Sequence, residues 1–213
     1  DPAAPTFIQY INTRTVDELG GDLAPEDIAF IDADDQWSPF YLYELNQLIS
    51  RFPQEQCFAS SYQKVVEGGQ YQDPKLAIGD ISPNGGIMDN YFACGAKGDL
   101  PFMPSSLVVT RELFKQLGGF PVGEVMGEDQ ALFSKIALHT NIVYSPLVLM
   151  LYHTDAENRA CDRHLPKDML PFARRLMKLV DEDKSHKAIH QDIAKYCAAH
   201  ICHLAKLNLK AGN

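Results

Sequence analysis

One short stretch constrains the chain more than any other: the apolar run Ile28-Ala29-Phe30-Ile31, followed at once by Asp32-Ala33-Asp34-Asp35. Four apolar residues without polar alternation predict a buried strand. Three carboxylates at the end of a buried strand repel one another and lose hydration, so the fold must compensate them. A divalent cation does so, because Mg²⁺ and Mn²⁺ take hard oxygen ligands, usually one or two carboxylates completed by phosphate oxygens. The carboxyl edge of an open α/β sheet is also where such folds bind ligands. Taken alone, these residues fit an acidic turn capping the next helix equally well.

The surrounding pattern predicts alternating strands and helices, hence α/β layers. Ser38-Pro39 reads as the N-cap and first position of a helix whose apolar face is Leu42, Leu45, Leu48, Ile49 and Phe52, closed by Pro53. Cys57–Val66 is strand-like, with a turn at Gly68-Gly69. Residues 72–101 are rich in Gly, Pro, Asp and Asn and read as a long functional or mobile loop, within which Gly85-Gly86 and Tyr91-Phe92 are either acceptor contacts or turn and packing residues. Ser106–Thr110 reads as a strand and Arg111–Leu117 as a short helix stopped by Gly118-Gly119. Gly127-Glu128-Asp129 opens a further helix, and Ile142–Tyr152 is a strand region interrupted by Pro146. Before residue 26 the pattern is weak, with a short strand expected at Thr6–Ile11 and helix at Val16–Leu19. Beyond a polar stretch at 153–165 two apolar stripes, one around Leu170 to Val180 and one around Ile189 to Leu207, predict helices.

A second acidic pair, Glu128-Asp129, sits at a helix start, where the helix dipole favours an ionised carboxylate able to accept a proton. Plain charge complementarity to the helix explains the pair by itself equally well. The combination is more specific. Ile31-Asp32-Ala33-Asp34-Asp35-Gln36-Trp37-Ser38-Pro39, then Ser105-Ser106-Leu107-Val108-Val109-Thr110-Arg111, Leu117-Gly118-Gly119-Phe120-Pro121 and Gly127-Glu128-Asp129-Gln130-Ala131-Leu132, resembles glycosyltransferase family 2 over about residues 27–155. The trailing Ile142-Val143-Tyr144-Ser145-Pro146 and Leu151-Tyr152-His153 resemble that family's closing strands.

The resemblance implies a GT-A-like fold, a Rossmann-like mixed sheet flanked by helices, and an inverting, metal-dependent transfer of a sugar from a nucleotide-diphosphate donor to a hydroxyl acceptor. Asp32 and Asp34 match the family's DxD motif, which holds Mg²⁺ or Mn²⁺ against the donor diphosphate, with Asp35 assisting. Asp129 matches the general base, and Glu128 would position the acceptor hydroxyl. His153 matches a position that reaches metal or diphosphate, although a strand-end histidine satisfied within the protein is an equal reading. A UDP-sugar is the commonest donor of the family, and the acceptor would be a saccharide or lipid-linked saccharide. The family's nucleotide-binding N-terminal half is largely missing from the 27 residues before Ile28, which predicts a partial GT-A domain over residues 1–158 and a helical C-terminal extension over 159–213. A non-catalytic fragment or binding module that keeps the fold without donor binding is the alternative. A haloacid-dehalogenase-type phosphatase also starts from a strand and Asp-x-Asp, but Gln36 stands where that class needs Thr or Val.

Charge narrows the partners. Residues 1–165 hold 10 Lys and Arg against 23 Asp and Glu, and residues 166–213 hold 9 against 5, so an acidic body carries a mildly basic tail. A net charge of −9 argues against a nucleic-acid partner. The tail's helices suggest docking on the body, on a second copy, or on an anionic membrane surface. Five cysteines without a CxxC pair, and no visible leader, suggest a cytoplasmic protein, peripheral at the inner membrane face if the tail docks there. Cys197, His200, Cys202 and His203 invite a zinc reading, but residue 202 falls off the helical face the others share. His186 and His190 are one turn apart and read as a solvated face.

Overall fold

The structure is a computed structural model and describes residues 9–10, 26–155, 165–166, 168–182, 187–210 and 212. The helix expected at Val16–Leu19, Cys161, His186 and most of the strand expected at Thr6–Ile11 lie outside these residues.

The apolar run forms β2 (Asp27–Ile31), as expected. It pairs antiparallel with β1 (Gln9–Tyr10) on one side and with β7 (Leu107–Thr110) on the other, Ile28 facing Val109. Next come β4 (Cys57–Val66), β8 (Val143–His153) and β3 (Gln36–Trp37), giving the order β1-β2-β7-β4-β8-β3. Two short strands, β5 (Gln70–Gln72) and β6 (Gly86–Ile87), pair with β4 and β8. Strands β4 and β8 run parallel, while the other pairs among the described residues are antiparallel. This is a mixed α/β sheet. The interruption at Pro146 is real: Ser60 faces Ser145 but Ser61 faces Val148, so Pro146 and Leu147 are extruded as a bulge. A proline lacks the N–H that the ladder needs, and a bulge is where a strand tolerates one.

Strand alternation sorts the core into two layers. Ala29, Phe58, Val108 and Val143 point to one face and pack on Tyr41, Leu45 and Leu48 of α1 (Tyr41–Arg51). Ile28, Phe30, Ala59, Leu107 and Val109 point to the other and meet the larger cluster. That cluster takes in α2 (Tyr91–Lys97), α3 (Arg111–Gln116), α4 (Glu128–His139), α5 (Pro171–Glu182) and α6 (Lys187–Lys210). Phe172 of α5 and Tyr196 of α6 are each about 1 % exposed within it. Each such ring contributes on the order of 2 kcal/mol by leaving water, so the helices expected beyond residue 158 share one core with the body.

Two local expectations are corrected. The α1 helix begins at Tyr41, not Pro39, and its N-cap is Phe40. Ser38 instead makes the preceding turn, its Oγ accepting from the Phe40 N–H at 3.3 Å. Residues 72–101 are not structureless, because α2 lies inside them. Asn90 caps it by accepting from the Ala93 N–H at 3.0 Å, and Tyr91, Phe92 and Cys94 are buried against α6. Tyr91 and Phe92 are therefore packing residues.

Candidate functional site

The acidic turn after β2 is held by Ser105, which stands just ahead of β7. Its Oγ accepts from the Asp32 N–H at 3.0 Å and donates to Asp35 Oδ2 at 2.5 Å. The other Asp35 oxygen, Oδ1, accepts from the His153 N–H at 3.2 Å. The Asp35 N–H closes the turn on the Asp32 carbonyl at 3.1 Å. Trp37 packs beside it, its Nε1–H donating to the Ser105 carbonyl at 2.6 Å and its ring stacked 4.4 Å from Tyr41. Each Asp35 oxygen thus accepts a hydrogen bond that fixes the turn, and Asp32 and Asp34 face the adjoining cleft.

The second acidic pair begins α4. Gly127 caps this helix at φ 78°, a left-handed conformation that favours glycine. A Cβ there would stand 2.9 Å from the Phe172 ring, so the tail's aromatic occupies the space that glycine leaves. Asp129 Oδ1 accepts from the Gln130 N–H at 2.6 Å. Arg175 of α5 makes a two-pronged pair with Glu124, at 2.5 and 3.0 Å, just before this helix start.

The two acidic segments meet. Asp32, Asp34, Glu128 and Asp129 line one cleft of about 270 Å³, whose lining also includes His200, His203, Leu204 and Leu207 of α6. Their proximity shows in their protonation. Burial, followed by repulsion from Asp35, Asp34, Asp129 and Glu128, pushes Asp32 up to about 7. Burial, then Asp129 and Glu124, pushes Glu128 up to about 7. Burial raises Asp129 as well, against the lowering effect of backbone N–H groups bonded to it, and it raises Asp35 despite the Ser105 and His153 hydrogen bonds.

Hard oxygen donors carrying unrelieved negative charge are the donor set a small divalent cation requires. Among the described residues no three His, Cys, Asp or Glu side chains gather closely enough to cage an ion unaided. Two carboxylates completed by a ligand's phosphate oxygens fit this arrangement. His153 does not line the cleft; its Nδ1 lies 3.2 Å from Asp155 Oδ1. Among the described residues the tail's Cys and His side chains form no metal-binding group: Cys197 is buried with its thiol toward the Ala173 carbonyl at 3.8 Å, and Cys202 is an exposed free thiol.

Several residues of this region were not singled out from the sequence. Ser105 is joined to the turn across about 70 positions, and Gln130 and Tyr196 reach the cleft or its neighbourhood through tertiary packing; His200 and His203, weighed from the sequence only as zinc ligands, line it too. Among described residues no helix is long and apolar enough to cross a membrane.

No protein-family model and no curated protein sequence matches the chain. Solved structures do. Residues 1–349 of TarS from S. aureus in complex with UDP-GlcNAc match with a TM-score of 0.60 and 16 % identity, over 83 % of this chain and 49 % of that one. The same TarS segment in a second crystal structure matches with a TM-score of 0.59 and 15 % identity, over 86 % and 52 %. At this identity the likeness establishes a shared mixed α/β fold and nothing finer, and the chain spans about half the length of these structures.

Proposed function

We propose that the chain carries the catalytic half of an inverting, metal-dependent glycosyltransferase that moves a sugar from a nucleotide-diphosphate donor, a UDP-sugar, to the hydroxyl of a saccharide or lipid-linked saccharide. One observation carries this reading: Asp32 and Asp34 share a cleft with Glu128 and Asp129, as the family resemblance requires of its metal-binding and base motifs. The UDP-GlcNAc bound by TarS, which has the same fold, supports a UDP-sugar donor.

Asp32 and Asp34 would hold Mg²⁺ or Mn²⁺, which supplies positive charge against the departing diphosphate. Asp35, Ser105 and the His153 N–H keep the turn rigid, so both carboxylates stay aimed at the cleft. Asp129 takes the proton of the acceptor hydroxyl as that oxygen attacks the anomeric carbon. Its burial raises its proton affinity above that of an ordinary carboxylate, the direction a general base needs. Glu128, one residue before it, is placed to orient the same hydroxyl. A single base with direct displacement inverts the anomeric configuration, and no carboxylate needs to act as a nucleophile.

The test is turnover of UDP-GlcNAc in Mn²⁺, with calorimetry of UDP binding alongside. Asp129→Asn should lower turnover by about 10²- to 10⁴-fold while UDP still binds. Unchanged turnover in that variant would remove Asp129 as the base, and a chain that gives no heat with UDP and Mn²⁺ would favour a binding module over an enzyme.

A further inference from the structure

Beside the acidic cleft lies a second cavity, of about 310 Å³. The two share Gln130, Tyr152, His200 and His203 as common walls. The chemistry of the second cavity differs from that of the first. Its acid, Asp99, is paired with Lys64 at 2.8 Å, so the lining is balanced in charge rather than strongly negative. The half-buried Tyr152 ring is backed edge to face at 6.1 Å by the buried Tyr62, whose hydroxyl donates to the Leu100 carbonyl. A charge-balanced wall of aromatic rings, an ammonium, a carboxylate and an amide suits a neutral molecule rich in hydroxyl groups, not a diphosphate.

Gln130 is the residue that joins the two spaces. It follows Asp129 directly, and its side chain is oriented from the tail. Tyr196 of α6 donates its hydroxyl hydrogen to Gln130 Oε1 at 2.9 Å. Tyr196 has one such hydrogen, so in its 3.0 Å contact with the Tyr91 hydroxyl of α2 it is Tyr91 that donates. The chain Tyr91–Tyr196–Gln130 therefore fixes the amide by its oxygen and leaves the two amide N–H donors for another partner. Gly95 of α2 leaves room for this arrangement, since a Cβ there would lie 2.8 Å from the Tyr196 ring.

We infer that the second cavity is the acceptor subsite and takes a neutral, polyhydroxylated molecule of the saccharide class. Gln130 donates to an acceptor oxygen beside Asp129, and Tyr196 is the positioning residue that orients Gln130. The assignment rests on the proposed transferase reading, in which Asp129 is the base, and it adds to that reading the cavity that takes the acceptor and the residues that position it.

Saturation-transfer NMR tests this with glucose, N-acetylglucosamine and sorbitol as probes, while calorimetry with UDP and Mn²⁺ reads the acidic cleft separately. At least one probe should receive saturation from the wild-type chain. Gln130→Ala should cut that signal at least fivefold. Gln130→Glu keeps an acceptor for Tyr196 but loses both amide donors, so it should fall equally. Tyr196→Phe keeps the ring and loses only the hydroxyl; it should lower the signal several-fold with an unchanged circular dichroism spectrum. No probe signal, or a signal indifferent to Gln130→Ala and Gln130→Glu, in a chain that still binds UDP and Mn²⁺ overturns the subsite and leaves the transferase reading standing. A Gln130-dependent probe signal without UDP binding upholds the subsite and overturns donor binding. Failure of both overturns both.

Discussion

The substitution Asp32→Asn isolates the cost of concentrating charge in the cleft. Asp32 titrates at about 7 in the fold against 3.8 for an ordinary Asp carboxyl, first because it is buried and then because Asp35, Asp34, Asp129 and Glu128 surround it. The folded value is the higher one, so the folded chain keeps a proton that the unfolded chain has already released. This contribution to stability is present at low pH and lost as pH rises through about 7. At roughly 1.4 kcal/mol per pH unit, the ionised carboxylate costs the fold about 4 kcal/mol at pH 8 and under about 2 kcal/mol at pH 5. Asparagine has the same shape and no charge at any pH. In EDTA, urea unfolding should therefore find Asp32→Asn more stable than the wild type by about 4 kcal/mol at pH 8, with the advantage at least halved at pH 5. Mn²⁺ added at pH 8 should stabilise the wild type and leave the variant unmoved. A variant no more stable than wild type at pH 8, or one whose advantage is the same at both pH values, would refute the electrostatic account of the cleft.

Two further substitutions probe how the cleft is held. Ser105→Ala leaves Asp35 Oδ2 and the Asp32 N–H without their partner, so it should cost about 1–3 kcal/mol and weaken Mn²⁺-dependent stabilisation; an intact thermal shift with Mn²⁺ would show that Ser105 does not order the turn. Gly127→Ala forces a methyl into the left-handed region and against the Phe172 ring, and should lower stability by about 1–3 kcal/mol; a circular-dichroism melt indistinguishable from wild type would show that the ring yields freely.

The parts of the site that were legible in the sequence are those whose chemistry is written in consecutive residues. Ile28–Ile31 is too short and too apolar for an amphipathic helix and reads as a buried strand, with Asp32 to Asp35 where it stops. Gly127-Glu128-Asp129 likewise marks a helix start by its own dipole. What stayed hidden depends on partners far along the chain. The partners that hold Asp35 in place, the Ser105 hydroxyl and the His153 N–H, come from residues 70 and 118 positions away and cannot be read beside it. The α2 helix is seven residues long with Gly95 inside it, so its intrinsic propensity is poor; packing on α6 supplies what local sequence does not. The Asn90 cap three residues before Ala93 was the local signal available. Ser38 misled because the same hydroxyl that can cap a helix can also make a turn ahead of one.

The missing methyl at Gly127 has a consequence for inheritance. The space above that glycine is filled by Phe172 and approached to 3.0 Å by Leu170, so the turn that presents Glu128 and Asp129 is cast against the tail. A body exchanged for that of another chain of this fold would arrive with a socket shaped for a different plug. Body and tail should therefore be passed on and varied as a matched pair, and chimeras joined near residue 165 should work only when Gly127, Leu170 and Phe172 come from the same parent.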